Sequence, residues 1–325
     1  MPYDISIKKV ALAGVSTFFI SYAPLTNRFQ ATGNLGSVIL KELLKSSLFE
    51  ITVLIRQSST HTFDPSVKVA KVDYDSLESL AAALAGQDAL VSSIASQAVE
   101  KQKLLIDAAV QAGVKRVIPS EFGGDLHNLR TRALPVYAGK VHIEEYLEEL
   151  AVKGLISYTL VFNGPFLDFG LRNGLFFNFK DKKAEIYDGG DQLISTSRLS
   201  TAGKAVRRIL THPRETADRA VWVKDIDISQ NQLLKLAQDL TPGENWRTKQ
   251  VDTVDLEKAC LEQYHKKDLQ PTTMLGFIKR GVFGEGYGSK FEHVHNSTLG
   301  IREMTVPDVE ELVTSMFGRR SWSFH

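Results

Sequence analysis

Along the first half of the chain, short unbroken apolar runs alternate with longer stretches whose apolar positions recur at a helical period. KKVALAG (8–14), EITVLIR (50–56), VKVAKVDY (67–74), DALVSSIA (88–95), VKRVIPS (114–120) and SYTLVFN (157–163) predict strands. Helices are predicted between them. GSVILKELLKS (36–46) lines up Val38, Ile39, Leu40, Leu43 and Leu44, and SLESLAAALAG (76–86) opens on serines and stops at Gly86. VEKQKLLIDAAVQAG (99–113) and KVHIEEYLEELAVKG (140–154) complete the series. This rhythm predicts an α/β fold, with a doubly wound parallel sheet and helices on both faces.

After Asn163 the rhythm is lost and Phe166, Phe169, Phe176, Phe177 and Phe179 crowd together. They point to a substrate-side region or, equally, to the core of a second subdomain. Later elements are a helix near 201–210, a strand at 220–225, and helices at 230–240 and 306–317. The expected organisation is a nucleotide-binding domain over 8–165 with an insertion at 15–30, then a smaller C-terminal substrate-binding subdomain over 166–317. A loose tail follows over 318–325.

The first strand ends in Gly14, but sixteen residues separate it from ATGNLG. Without 15–30 the strand runs straight into the helix through Gly14, Ala31, Thr32, Gly33, Asn34, Leu35 and Gly36. That is a glycine-rich turn between strand and helix, the setting in which backbone N–H groups at a helix start approach a pyrophosphate. The sheet is therefore expected to be of the Rossmann type. Two readings of 15–30 stand: a loop insertion peculiar to this protein, or the translation of a retained intron. Val-Ser can be coded GTGAGT and Gln CAG, donor-like and acceptor-like ends, and long structureless loops inside compact domains are uncommon. Both favour the intron.

The second strand ends in Arg56, which suits a 2′-phosphate, where an acidic residue would hold a ribose hydroxyl. NADP is therefore expected over NAD. Ser93 and the run PSEFGGD (119–125) fall at the carboxyl ends of the fourth and fifth strands, where open α/β sheets bind ligands. Lys140 opens the next helix. A partly desolvated lysine beside a nicotinamide can exchange a proton at neutral pH, although a lysine at a helix start is usually just solvated.

Composition narrows the field. With 39 basic against 38 acidic residues the chain carries no excess positive field for nucleic acid. No apolar stretch approaches a membrane span, and MPYDISIKKV lacks the apolar core of a signal peptide, so the cytoplasm is the expected address. One cysteine, Cys260, excludes an internal disulfide, and His142, His293 and His295 form no metal signature.

AGATGNLG read across the insertion, VLIR, KRVIPSEFGGD, the lysine of GKVHIEEYLEEL and SYTLVFNGPF together resemble the NmrA-like and isoflavone reductase-like group of atypical short-chain dehydrogenases, fungal oxidoreductases above all. The resemblance implies NADPH as hydride donor, Lys140 as the proton-handling residue, and Asn163 and Phe166 near the nicotinamide. It further implies a small conjugated or aromatic substrate, in fungal secondary metabolism, and leaves a homodimer open. The alternative within the same group is a non-enzymatic dinucleotide sensor acting through a protein partner, which lacks the lysine. Two departures stand out. Glu144 occupies the place where plant reductases of the group carry a basic residue, and no second basic residue follows Arg56. The Tyr-x-x-x-Lys pair is also absent, since Val136 lies four before Lys140 and Tyr137 three before.

Overall fold

Parallel strands covered on both faces must be apolar almost throughout, and β1 (Lys9–Ala13) meets that demand with four consecutive buried residues. In the computed structural model, residues 6–14 and 32–318 are described. The 15–30 insertion and the tail beyond Gly318 lie outside them. After β1 come α1 (Thr32–Ser46), β2 (Glu50–Arg56), β3 (Lys68–Val72), α2 (Leu77–Leu84), β4 (Ala89–Ser92), α3 (Gln102–Gln111), β5 (Arg116–Ile118), the short α4 (Leu129–Arg132), α5 (Ala138–Val152) and β6 (Ser157–Phe162). The chain continues through α6 (Leu167–Asn173), β7 (Lys183–Tyr187), β8 (Leu193–Thr196), α7 (Leu199–Thr211), β9 (Arg219–Trp222), β10 (Ile226–Ser229), α8 (Gln230–Asp239), β11 (Arg247–Val251), α9 (Thr253–His265), α10 (Pro271–Phe283) and α11 (Val306–Phe317).

Seven parallel strands form the main sheet in the order β3-β2-β1-β4-β5-β6-β9. The order reverses between β1 and β4, the place where a doubly wound Rossmann sheet opens its ligand crevice. Ile39 and Leu43 of α1 with Ala202, Val206 and Ile209 of α7 cover one face. Leu80 and Leu84 of α2, Leu105 and Ile106 of α3, and Ile143 and Leu147 of α5 cover the other. The predicted fold class is therefore the observed one.

The chain returns to this sheet after Asn163: α7 packs on α1, and β9 extends the sheet beside β6. Two small sheets, β8 with β10 and β7 with β11, belong to a further layer with its own core. Phe176, Phe177 and Phe179 are buried in that core, stacked or edge-on against Phe283, Trp246 and Phe317. Of the two sequence readings of these three rings, the structure selects packing. The region of His293 and His295 forms no strand; His295 stacks on Trp222 and accepts its backbone N–H at 3.2 Å.

Candidate active site

Gly14 turns out of β1 with φ +85°, and a Cβ there would lie 2.5 Å from the Ser93 backbone carbonyl. Only glycine permits so close an approach of the two strand ends at the switch point. Ser93 seals the contact, its N–H and its hydroxyl both donating to the Ala13 carbonyl at 2.9 Å. Its side chain is thus committed to joining β1 and β4. Thr32, Gly33, Asn34, Leu35 and Gly36 all lie inside α1, so the helix begins within the glycine run, earlier than its apolar face alone suggested. Arg56 is exposed at the carboxyl end of β2. Tyr74, unnoticed in the sequence, lies close by, and burial pushes its phenol up to about 12 against smaller opposing effects of the Gly14 backbone and Arg56.

The loop after β5 is fixed from both sides. The Ser120 hydroxyl donates to the Ile94 carbonyl at 2.7 Å, and the Ser120 N–H to Gln102 Oε1 at 2.8 Å. The Gly123 carbonyl accepts the N–H groups of Asn163 at 3.0 Å and Gly164 at 2.9 Å. Between these anchors Phe122 is buried with φ +37°, a left-handed backbone that bulky residues rarely adopt. The strained turn aims Glu121 at α5. On the first turn of α5 Gly139, whose Cβ would meet Val99 at 2.5 Å, lets the helix pack closely on the segment that leads into α3.

Lys140 lies in that first turn, and its amine donates to the Glu121 carbonyl oxygen and lies 3.5 Å from Glu121 Oε1. The lysine side chain is 13% exposed and that of Glu121 2%. It is therefore not the freely solvated lysine of a typical helix start. Burial holds the Glu121 carboxyl above its ordinary range, opposed by Lys140 and Arg132. Tyr137 is buried just before Lys140, and burial together with Glu121 pushes its phenol far up, so it stays protonated. Glu144, one turn beyond Lys140, is buried and accepts from Arg132 Nη1 at 2.7 Å. Burial first, then Glu121, raises its carboxyl to about 8, with Arg132 and Lys140 opposing.

This shift carries a stability consequence. Below the ordinary glutamate value of 4.5 both folded and unfolded chains hold the proton; between there and about 8 only the folded chain keeps it. The folded state therefore loses stability as pH rises through that window. Glu144→Gln, which mimics the protonated acid, is expected to melt on the order of several degrees above the parent at pH 8 and close to it at pH 4.5. Parallel melting curves for the two proteins across this range would contradict the assignment.

Asn163 is fully buried at the carboxyl end of β6, its Nδ2 donating to the Gly164 carbonyl at 2.7 Å and its Oδ1 without a partner. Ser92 Oγ and Gln102 Nε2, at the carboxyl edge of the sheet and the start of α3, are likewise buried without a hydrogen-bond partner, and Glu121 Oε1 has only the Lys140 amine 3.5 Å away. Phe166 is half-buried beside them and bridges to Ser197. Buried polar atoms are normally satisfied. A row of open ones where the crevice should lie suits a long polar ligand such as a dinucleotide. The structure thus brings Lys140 together with Asn163 through the Gly123 carbonyl, and gathers Gly14, Ser93 and the start of α1 at the switch point. Glu121 was missed as the partner of Lys140, and so was the ion pair of Arg132 with Glu144 one turn further on. The PSEFGGD run contained Glu121, but nothing in the spacing tied it to the lysine.

Among the described residues, no cluster of three or more His, Cys, Asp or Glu is placed to hold a metal, and no helix is long and apolar enough to cross a membrane.

A parallel sheet in this order, with a glycine at its switch point, defines a Rossmann-type α/β protein. The NmrA-like family model matches residues 28–275, and the chain belongs to that family. The match opens past β1 and Gly14. Oxidoreductase aprR of Aspergillus flavus is 34% identical over 290 residues, covering 88% of this chain and 96% of that protein. Isoflavone reductase homolog P3 of Arabidopsis thaliana is 26% identical, over 69% of this chain and 72% of its own. Among solved structures, AtPrR2 with NADP+ and (+)pinoresinol superposes with a TM-score of 0.71 at 20% identity, covering 94% of this chain and 99% of that one.

Proposed function

We propose that this protein is an NADPH-dependent oxidoreductase that reduces a small conjugated or aromatic metabolite. The observation that carries the reading is the Lys140 amine, sheltered against Glu121 and joined through the Gly123 loop to Asn163 at the carboxyl edge of the sheet. The oxidoreductase relative from Aspergillus flavus and the NADP+ complex among the structural neighbours support it. A dinucleotide sensor would have no use for a buried, oriented lysine at this place.

In this reading the turn from Gly14 to Gly36, through Thr32, Gly33, Asn34 and Leu35, receives the pyrophosphate on backbone N–H groups at the start of α1. Ser93 keeps the crevice open by holding the β4 end against β1. Asn163 and Phe166 border the nicotinamide. When bound, NADPH supplies a hydride to an electrophilic carbon of the substrate. Lys140 Nζ gives up or takes the accompanying proton, and Tyr137, held protonated, takes no part. The region over 166–317 closes the substrate side, and the resemblance to fungal oxidoreductases of this group makes secondary metabolism the setting of this reading.

Arg56 holds the 2′-phosphate. Arg56→Glu is expected to weaken NADPH binding by roughly 10- to 100-fold, about the worth of one or two charge-assisted contacts, while NADH binding changes little. Fluorescence titrations with both cofactors check this; an equal loss for the two would remove Arg56 from the phosphate site.

A further inference from the structure

The ladder between β1 and β2 stops where the glycine turn begins, and a side chain takes over its next rung. In a parallel pair the bonds recur evenly, at every second residue of each strand. The Glu50 N–H donates to the Lys8 carbonyl at 2.8 Å, and the register runs on to Ala13 opposite Leu54. Continued by the same step, the next rung would join the Gly14 N–H to the Leu54 carbonyl. The hydroxyl of Tyr74 stands there instead, donating to the Leu54 carbonyl at 3.0 Å, and the Gly14 backbone hydrogen-bonds to the phenol.

Tyr74 is held in a closed turn between β3 and α2. The Asp75 N–H donates to Asp73 Oδ1 at 2.9 Å and the Asp73 N–H to Ser79 Oγ at 3.0 Å, which ties the backbone on both sides of Tyr74 to the first turn of α2. Its ring packs on the core that α2 and α3 cover. Burial pushes the phenol up to about 12, so the hydroxyl remains a donor at every working pH. Two hydroxyls thus flank the end of β1, Ser93 from β4 and Tyr74 from beyond β2.

We propose that Tyr74 is a positioning residue for the cofactor, its hydroxyl filling the last rung between β1 and β2 and presetting Gly14 for the pyrophosphate. Gly14 has the left-handed backbone, φ +85°, and as a glycine it has other conformations open to it. The connection that follows carries sixteen extra residues, so no short link to α1 dictates that conformation. The hydroxyl bridge restrains it from the strand side. Tyr74 acts here through Gly14 and not on the cofactor itself. This role rests on the reading of the glycine turn as the pyrophosphate site, whereas the bridge stands without it.

Amide hydrogen exchange on the full-length protein carrying isotope-labelled glycine tests the bridge. The Gly14 amide should exchange slowly in the parent. In Tyr74→Phe the ring still keeps the strand ends apart, so the rung cannot re-form directly, and exchange should be about tenfold faster, the worth of one hydrogen bond. Fluorescence titration of the same variant should show NADPH and NADH both weakened by about tenfold, because both carry the pyrophosphate. With a turned-over substrate the loss should fall on KM for NADPH rather than on kcat, a split that a general weakening of the fold would not produce. Rapid exchange at Gly14 in the parent, which needs no variant to fold, would overturn the proposal, as would unchanged affinity for both cofactors in Tyr74→Phe. A loss confined to NADPH would place the hydroxyl at the 2′-phosphate and overturn it as well. A protected Gly14 amide in a parent protein that binds neither cofactor would overturn the oxidoreductase reading and the positioning role while leaving the bridge in place.

Discussion

Lys140→Ala is expected to lower kcat by about 10²- to 10⁴-fold, the usual worth of a positioned proton donor, while NADPH binds as before. The reason is geometric: the amine is held by Glu121 on a loop pinned to Ile94, Gln102 and Asn163, so no neighbouring side chain can swing into its place. Lys140→Arg should recover little, because a guanidinium stays charged across the working range and cannot alternate between acid and base. Removing the amine also strands Glu121 in a dry site, so some change in stability accompanies the loss. Stopped NADPH oxidation together with retained NADPH fluorescence enhancement separates the two effects. Turnover that survives the substitution would remove Lys140 from the chemistry.

Deleting residues 15–30 is expected to tighten NADPH binding by about tenfold or more, equivalent to roughly 1.4 kcal/mol. The ends of the segment are already placed for a short connection. Ala13 pairs with Leu54 and Ser92 at the centre of the sheet, Gly14 has the left-handed backbone of a tight turn, and α1 opens at Thr32. Connections between strand and helix in such units are commonly about two to six residues long. A connection lengthened by sixteen residues at this point is expected to compete with a pyrophosphate for the helix start. Side-by-side titrations of the two forms decide it, and equal affinities would make the segment a tolerated surface loop. Comparing genomic DNA with cDNA settles its origin. Transcripts that skip the segment identify a retained intron, and invariable retention without splice-site sequence at its edges identifies a true insertion.

How much of this was legible in advance follows from how each element is buried. Strands β1, β2, β4 and β6 are covered on both faces, which demands apolar runs with sharp ends, and the expected span of 50–56 coincides with β2. The expected last helix, 306–317, coincides with α11, which the structure starts on Thr305 and a proline in the first turn. By contrast β11 is exposed at four of its five residues and offers no apolar run at all. α10 carries two glycines and a broad apolar surface, so its period is blurred. These elements exist because the second core needs them, and local propensity does not announce them.

The strands and helices of the first half, the glycine at the end of β1, and the places of Arg56 at a strand end and Lys140 at a helix start were thus written in the sequence, since each depends on neighbours close along the chain or on a strand's own pattern. Tertiary structure decided the rest. It brought α7 and β9 back to the first sheet from beyond Asn163, turned Phe176, Phe177 and Phe179 into core, set Glu121 against the lysine and paired Arg132 with Glu144. The spacing of Lys140 and Glu144 on one helix could be read directly. The approach of Glu121 could not, because it depends on a turn held by hydrogen bonds to residues up to some forty positions away, which no local pattern encodes.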